Sequence, residues 1–470
     1  MKMFLAGEWV DRPRMQDVGN PYDHSVIDNV PKAGPDDVER ALAFAERGAA
    51  VMARMTAHER WRVLTRAAAL MAERVDELGT LISSEEGKIL AEGKGEVRRA
   101  VETMTASAEE AKRVHGETVP LDADPAGAGK LAFTLRVPCG VVVAIGPFNF
   151  PLNLLCHKVG PAIAGGNSVI IKPASDTPLS GLKLTEILLE AGVPPEGVQC
   201  LTGSGSEIGD PLVSDGRVRK ITFTGSREVG ENICRMAGIK KVTMELGSNC
   251  PVIVMPDADL DKVAAAVAAT GYANSGQVCI STQRVLADRR VYADFLGVLA
   301  PKVEALATGS QLDTATQVGP MIKESEAVRV EQWVNEAVGE GARLLAGGSR
   351  DGAVYAPTVV ADVSRDMRIA RDELFGPAVG VTPFESIDEA IALANDTVYG
   401  LSAGIFTENI GWAMRFAREV ESGNLHVNWG PQWRADVMPY GGLKESGFGK
   451  EGPRYAIEEM TELKTVVFHL

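Results

Sequence analysis

The strongest constraint on the fold is a series of short Val/Ile-rich runs, each closed by Gly or Pro and separated from the next by a stretch with helical spacing. In the middle of the chain these runs are GVVVAIGP, NSVIIKP, GVQCLTG and RKITFTG. GVVVAIGP and NSVIIKP do not alternate polar and apolar residues, so they do not suit a sheet with one wet face. Continuous apolar runs of this length suit parallel strands buried on both faces, and the helical stretches between them supply the crossovers that parallel pairing requires. The expectation is a doubly wound α/β unit reaching to about Glu245. A second series, PVIVMP, STQRVLAD, YAPTVVAD, VGVTPF, SAGIFT and GNLHVN, again alternates with helical stretches and predicts a second α/β unit. Ahead of both, residues 36 to 114 read as helices, with apolar residues at spacings of three and four. KLAFTLRVP (130–138) and the tail TELKTVVFHL (461–470) read as strands outside both series that pair as an arm.

Charge and cysteine usage exclude several classes of function. The net charge of −15 argues against a nucleic-acid partner, because such binding draws its affinity from clustered Lys and Arg. No apolar run approaches the ~20 residues of a membrane span, and the N-terminus MKMFLAGEWVDRP lacks the apolar core of a secretory signal. A cytoplasmic protein without a membrane partner is expected. The six cysteines form no C-x-x-C pair and have no nearby set of histidines, so neither a metal nor a disulfide framework is expected.

Five of those cysteines sit in apolar contexts suited to small core residues. Cys279, in NSGQVCISTQR, lies instead among Gly, Ser and Gln, where a thiol can be partly exposed and activated. Glu245 lies between the strand-like KKVTM and a Gly turn, where a carboxylate can act on a water or simply cap a helix. Asn149, on the turn GPFNFPLN after a buried run, can offer its amide N–H to a developing oxyanion, or serve only the turn. Lys172 ends the run NSVIIK at the strand edge where α/β ligands sit. Two Gly turns, LTGSGSEIGD (201–210) and ITFTGSREVGENI (221–233), compete for a phosphate at a helix N-terminus, and neither has the strict G-x-G-x-x-G spacing.

In chain order Asn149, Lys172, FTGSREVG, Glu245, GQVC ending at Cys279, and DELFGP resemble the aldehyde dehydrogenase superfamily nearly end to end, from GEWVD to YGGLKESGFGKEGP. The resemblance implies a Rossmann-type NAD(P)-binding domain (1–118 and 138–246), an α/β catalytic domain (247–444) and a small β oligomerisation arm (119–137 and 445–470) of a homodimer or homotetramer. It implies that Cys279 attacks the aldehyde carbon, that the Asn149 amide and the Cys279 N–H hold the oxyanion, and that Glu245 activates water to hydrolyse the thioester. Lys158 and Glu451 match positions proposed to relay protons with Glu245. Lys172 matches the residue on the adenosine ribose and Glu373 the residue on the nicotinamide ribose. Gly225, Ser226 and Gly230 match the turn and helix start under the pyrophosphate, and Pro147 and Phe148 also fall at cofactor positions.

Two departures from the pattern stand out. Ser248 replaces the second glycine of the Glu-Leu-Gly-Gly sequence common in the family, without removing Glu245. Ser175 stands where members that prefer NAD often carry a Glu that repels a 2′-phosphate, so NADP is expected to be accepted as well as NAD. Arg434 and Trp433, in the loop VNWGPQWRADVMPYGG, fall where the family often lines its substrate tunnel. An Arg there can pair with an anionic group or hold the loop, and the reading favours a small polar or anionic aldehyde: a semialdehyde, lactaldehyde, or a phosphorylated or sulfonated three-carbon aldehyde. Two rivals are a CoA-acylating enzyme, a type that commonly lacks the acid present here as Glu245, and a non-catalytic binding protein on the same scaffold.

Overall fold

A computed structural model describes all 470 residues. The four runs in the middle of the chain, together with Lys241–Glu245, form the parallel centre of an eight-stranded sheet, in the order Val198–Cys200, Ser168–Lys172, Val141–Ile145, Val218–Thr224, Lys241–Glu245. The chain starts at the central strand Val141–Ile145, winds outward to one side, then crosses back to Val218–Thr224 on the other. That reversal opens a crevice at the carboxyl ends of these two strands, the place where open α/β sheets bind ligands.

Two elements not read from the sequence cap the sheet. Met3–Leu5 and Glu8–Val10 form a hairpin on one edge, and Gly447–Phe448 pairs antiparallel with Lys241–Glu245 on the other. Strands of two or three residues are too short to display a period. The C-terminal segment is therefore divided: residues 447–448 join the first sheet, and only Thr461–His469 joins Lys130–Pro138, in an unbroken nine-pair antiparallel register. Thr118–Val119 extends that arm to three strands.

The six runs of the second series form a parallel sheet in the order Thr358–Ala361, Ala378–Phe384, Arg284–Asp288, Pro251–Val254, Ser402–Phe406, Asn424–Val427, and a seventh strand not read from the sequence, Arg343–Ala346, adds antiparallel beside Thr358–Ala361. The N-terminal stretch folds as four helices, Pro35–Arg54, Ala57–Glu73, Val75–Glu86 and Leu90–Ala111. The second starts at a reciprocal cap in which Thr56 Oγ1 accepts from the Glu59 N–H and the Glu59 carboxylate accepts from the Thr56 N–H. No helix is long and apolar enough to cross a membrane.

One helix matters most for the site. Asn153–Ala164 is buried on every side, as its nearly unbroken apolar sequence NLLCHKVGPAIA demands. Its two basic residues, His157 and Lys158, are therefore carried into the protein interior and must find partners there.

Candidate active site

A cleft of about 850 Å³ opens at the crevice and runs between the two sheets. The nucleophile candidate reaches it on an unusual turn. Asn274 and Ser275 hold left-handed φ values of 49° and 53°, followed by Gly276 at 71°. Non-glycine residues keep such angles only where the surroundings impose them. Here Glu92 accepts the Asn274 N–H at 3.0 Å, and Ser275 Oγ donates to the Gly319 carbonyl at 2.7 Å. At Gly276 a Cβ would run into the Gly376 carbonyl, so the loop closes only on glycine. The turn delivers Cys279, half-buried, to the cleft wall. Burial, reinforced by the nearby Cys250, Glu373 and Glu245, pushes its thiol up to about 12 against a hydrogen bond from Tyr440, whose hydroxyl lies 3.3 Å from Sγ. Cys279 therefore rests as a thiol, and a nucleophilic role would need a base.

Asn149 and Glu245 line the same cleft. Asn149 Nδ2 donates to the Gln277 carbonyl at 2.7 Å, which ties the amide to the loop carrying Cys279 and leaves its second N–H for a ligand. Glu245 ends the strand Lys241–Glu245, is 4 % exposed, and has no hydrogen-bond partner on either carboxylate oxygen. Burial first, and the charge of Glu451 second, raise its pKa well above the usual carboxylate range. Glu451 behaves oppositely: against the upward push of burial, Lys158 and Arg434 hold it well below that range. Lys158 Nζ donates to Glu451 Oε1 at 2.9 Å and to Thr224 Oγ1 at 2.7 Å, and Arg434 Nη1 donates to Glu451 Oε2 at 2.9 Å. Two neighbouring carboxyls thus have their proton affinities driven apart, so that Glu245 takes the proton and Glu451 stays charged.

The other end of the cleft has the shape and groups for a dinucleotide. Lys172 closes its strand with Nζ on the Pro173 carbonyl at 3.1 Å, and burial pushes its amine down to about 8. Gly225 and Ser226 line the wall where Val218–Thr224 passes into the helix Arg227–Ala237, and Ser226 Oγ accepts from the Val229 N–H. The free N–H groups of that helix start suit a pyrophosphate. Gly230 lies behind, where a Cβ would meet Leu246 at 2.5 Å. The competing turn also contributes, through Gly205 and Gly209, so the two Gly turns face one cleft. Pro147 and Phe148 form part of the wall, with Phe148 edge-on to Phe375 at 5.9 Å. Glu373 accepts the Ser248 N–H at 2.8 Å, and burial raises it to about 7. A nicotinamide dinucleotide fits this donor set.

The family described as the aldehyde dehydrogenase family matches residues 9–466. The chain belongs to it. The enzyme is 48% identical over 468 residues to the 3-sulfolactaldehyde dehydrogenase of Priestia aryabhattai, covering 100% of this chain and 98% of that one. Its structure matches aldehyde dehydrogenase 21 of Physcomitrella patens, determined with the reaction product succinate, at TM-score 0.97 and 39% identity over 99% of this chain and 98% of that chain. It matches the glyceraldehyde-3-phosphate dehydrogenase GapN of Methanocaldococcus jannaschii, complexed with NADP, at TM-score 0.94 and 38% identity over 98% and 100%. The enzyme oxidises an aldehyde to the carboxylic acid with NAD or NADP.

Not every residue singled out in the sequence meets in the cleft. Ser175 is half-buried beside it, with Oγ on the Gly203 carbonyl at 3.1 Å. Its neighbour Asp176 does line the cleft, paired with Lys323 at 3.1 Å. Trp433 is exposed and sits edge-on to His426 at 6.2 Å. The Arg434 side chain is buried over the Tyr440 ring at 4.0 Å, and besides Glu451 it donates to His157 Nδ1 at 3.1 Å. Arg434 therefore does hold its loop, and its Nε remains unpartnered. Because His157 accepts at Nδ1, it is neutral and donates from Nε2 to Asp436 at 2.9 Å. Burial lowers its pKa to about 4, consistent with that state.

Tyr440, His157 and Asp436 escaped the sequence reading. A visible signal existed for His157, an imidazole inside an apolar helical run. Tyr440 offers none, since its contact is with a thiol 161 residues away.

Proposed function

We propose that the enzyme is a hydrolytic dehydrogenase of small anionic aldehydes that accepts NADP as well as NAD. The observation that carries the hydrolytic reading is Glu245, a buried carboxylate with two unpartnered oxygens in the cleft that holds Cys279. In this mechanism Glu245 takes the Cys279 proton while Sγ bonds to the aldehyde carbon. The oxyanion so formed collects the free N–H of Asn149 Nδ2 and the Cys279 backbone N–H. The cofactor, when bound, accepts the hydride released from that carbon. Once that proton has passed from Glu245 to solvent and loss of the hydride has left a thioester, Glu245 removes a proton from water as the water oxygen adds to the thioester carbon. The C–S bond breaks, the acid leaves, and Cys279 is restored.

The substrate class is supported by Arg434, whose Nε is unpartnered and whose guanidinium stacks on the ring of Tyr440, the tyrosine that touches Cys279. The 3-sulfolactaldehyde dehydrogenase similarity points the same way. NADP acceptance is supported by Ser175, and by the pairing of its neighbour Asp176 with Lys323, which offsets that carboxylate's charge. The test is steady-state kinetics with both cofactors on neutral, carboxylated, phosphorylated and sulfonated aldehydes of three or four carbons. Anionic aldehydes are expected to win, and Arg434→Gln to raise their KM about tenfold, on the order of 1.4 kcal/mol, with less effect on neutral ones. Equal losses on both would leave Arg434 a loop residue, and an NAD preference above about a hundredfold would remove the NADP reading.

The apolar side chains exposed on the arm, among them Leu131, Leu135, Leu463 and Phe468, support a homodimer or homotetramer. Sedimentation equilibrium is expected to give a multiple of the 50.0 kDa chain mass, and a monomer would end that reading. The six free thiols fit the reducing cytoplasm.

A further inference from the structure

Beneath the catalytic loop lies a cluster that the mechanism does not use. Within EEGKILAEGKGE (85–96), three carboxylates, Glu86, Glu92 and Glu96, surround Lys88, which is 1 % exposed. Lys88 Nζ donates to Glu96 Oε2 at 2.8 Å and to the main-chain carbonyl of Asn149 at 2.5 Å, and sits 3.8 Å from the centre of the Phe150 ring. Glu96 Oε1 accepts the N–H groups of Leu152 and Asn153 at 2.8 and 3.0 Å, capping the buried helix that follows Asn149. The other flank of the cluster grips the turn before Cys279. Glu86 Oε1 accepts from Asn274 Nδ2 at 2.9 Å, and Glu92 takes the Asn274 N–H. Asn274 Nδ2 also reaches the Asn149 carbonyl at 3.2 Å.

The two segments proposed to supply the oxyanion donors, 149–153 and 274–279, come from different parts of the chain; they touch directly through Asn149 and Gln277 and through Asn274 and Asn149, and both are also held by this cluster. Stability alone gives no reason for it, since a buried ion pair is often no better than an apolar replacement of similar volume. Geometry does: an oxyanion pocket works only if its donors are held to within about 0.5 Å.

We propose that Lys88, fixed by Glu96, is a positioning residue for the oxyanion pocket, locking the Asn149 main chain so that its amide and the Cys279 N–H converge on one oxygen. Lys88 touches neither substrate nor cofactor. It acts through Asn149, and the inference rests on Asn149 being the oxyanion donor.

The test is a double-mutant cycle read by the single-turnover rate of cofactor reduction. Lys88→Met is expected to lower that rate about a hundredfold, the scale of losing one oxyanion donor. Cofactor Kd and the rate of Cys279 alkylation by iodoacetamide should stay within about twofold, because neither needs the oxyanion pocket. In an Asn149→Ala background the same substitution should cost less than about threefold, since residues acting through one another are not additive. An undiminished hundredfold loss in that background, or a wild-type rate in Lys88→Met, overturns the proposal. If Lys88→Met does not fold, Glu96→Gln decides: it is isosteric, keeps the cap on Leu152 and Asn153, and should show a smaller loss that also vanishes beside Asn149→Ala. A Glu96→Gln loss that multiplies with Asn149→Ala, or no loss at all, again overturns it. Should Asn149→Ala alone leave the rate unchanged, it is the oxyanion assignment that fails.

Discussion

Glu245→Gln is expected to produce one equivalent of reduced cofactor per active site, at a reduced rate because Cys279 loses its base, and then to turn over about 10²–10⁴-fold more slowly than the native enzyme, the range for loss of a general base. Glutamine keeps the shape of the side chain but cannot take a proton from water, so the thioester accumulates. Stopped-flow absorbance would show the burst, and acid quench would show the acylated protein. Full turnover in this variant would remove Glu245 from hydrolysis, and rescue by added CoA in the native enzyme would favour the acylating rival. The same residue sets a pH signature. Glu245 is neutral below its raised pKa and becomes a base only above it, because burial and the charge of Glu451 both oppose ionisation. The native kcat should therefore climb with pH across a limb placed well above the ordinary carboxylate pKa of 4.5. That limb should be absent in Glu245→Gln.

Cys279→Ala carries the larger effect: dehydrogenase turnover is expected to fall by about 10⁴-fold or more, as when a covalent nucleophile is removed. Cofactor binding, followed by fluorescence, should keep its Kd, because the groups suited to the dinucleotide lie elsewhere in the cleft. A native-like turnover would dismiss Cys279. Alkylation supplies a second measurement. A thiol pushed up to about 12 is protonated throughout the neutral range, and only the thiolate reacts. In the cofactor-free enzyme the iodoacetamide rate should rise about tenfold per pH unit from about pH 6 to 9. A flat profile would mean that the thiolate exists before substrate arrives.

The sites most legible in the sequence were those that local chain direction places. A residue ending a buried parallel run must emerge at the carboxyl edge of a sheet, so Lys172 and Glu245, and Asn149 four residues beyond its strand, could be assigned to a cleft before any contact was known. The cluster around Lys88 was written in the sequence just as openly, but as an acidic helix start its ordinary reading is a solvated surface. Burial made it something else, and burial depends on the helix Asn153–Ala164 and the turn at Asn274 packing over it.

Arg434 illustrates the other side. Its sequence context allowed an anion-binding role or a loop-holding role. The fold gives its guanidinium Glu451, His157 and the Tyr440 ring while leaving Nε unpartnered. The sequence by itself determined the two parallel sheets, the order of the motifs and the chemical types present at the cleft, because periodicity, turn residues and strand ends are local properties. Only the tertiary structure decided that Glu245 is left without a partner while Glu451 is held ionised by a lysine 293 residues away. Desolvation and Coulomb interactions depend on what surrounds a group in space, and neighbours along the chain do not specify that.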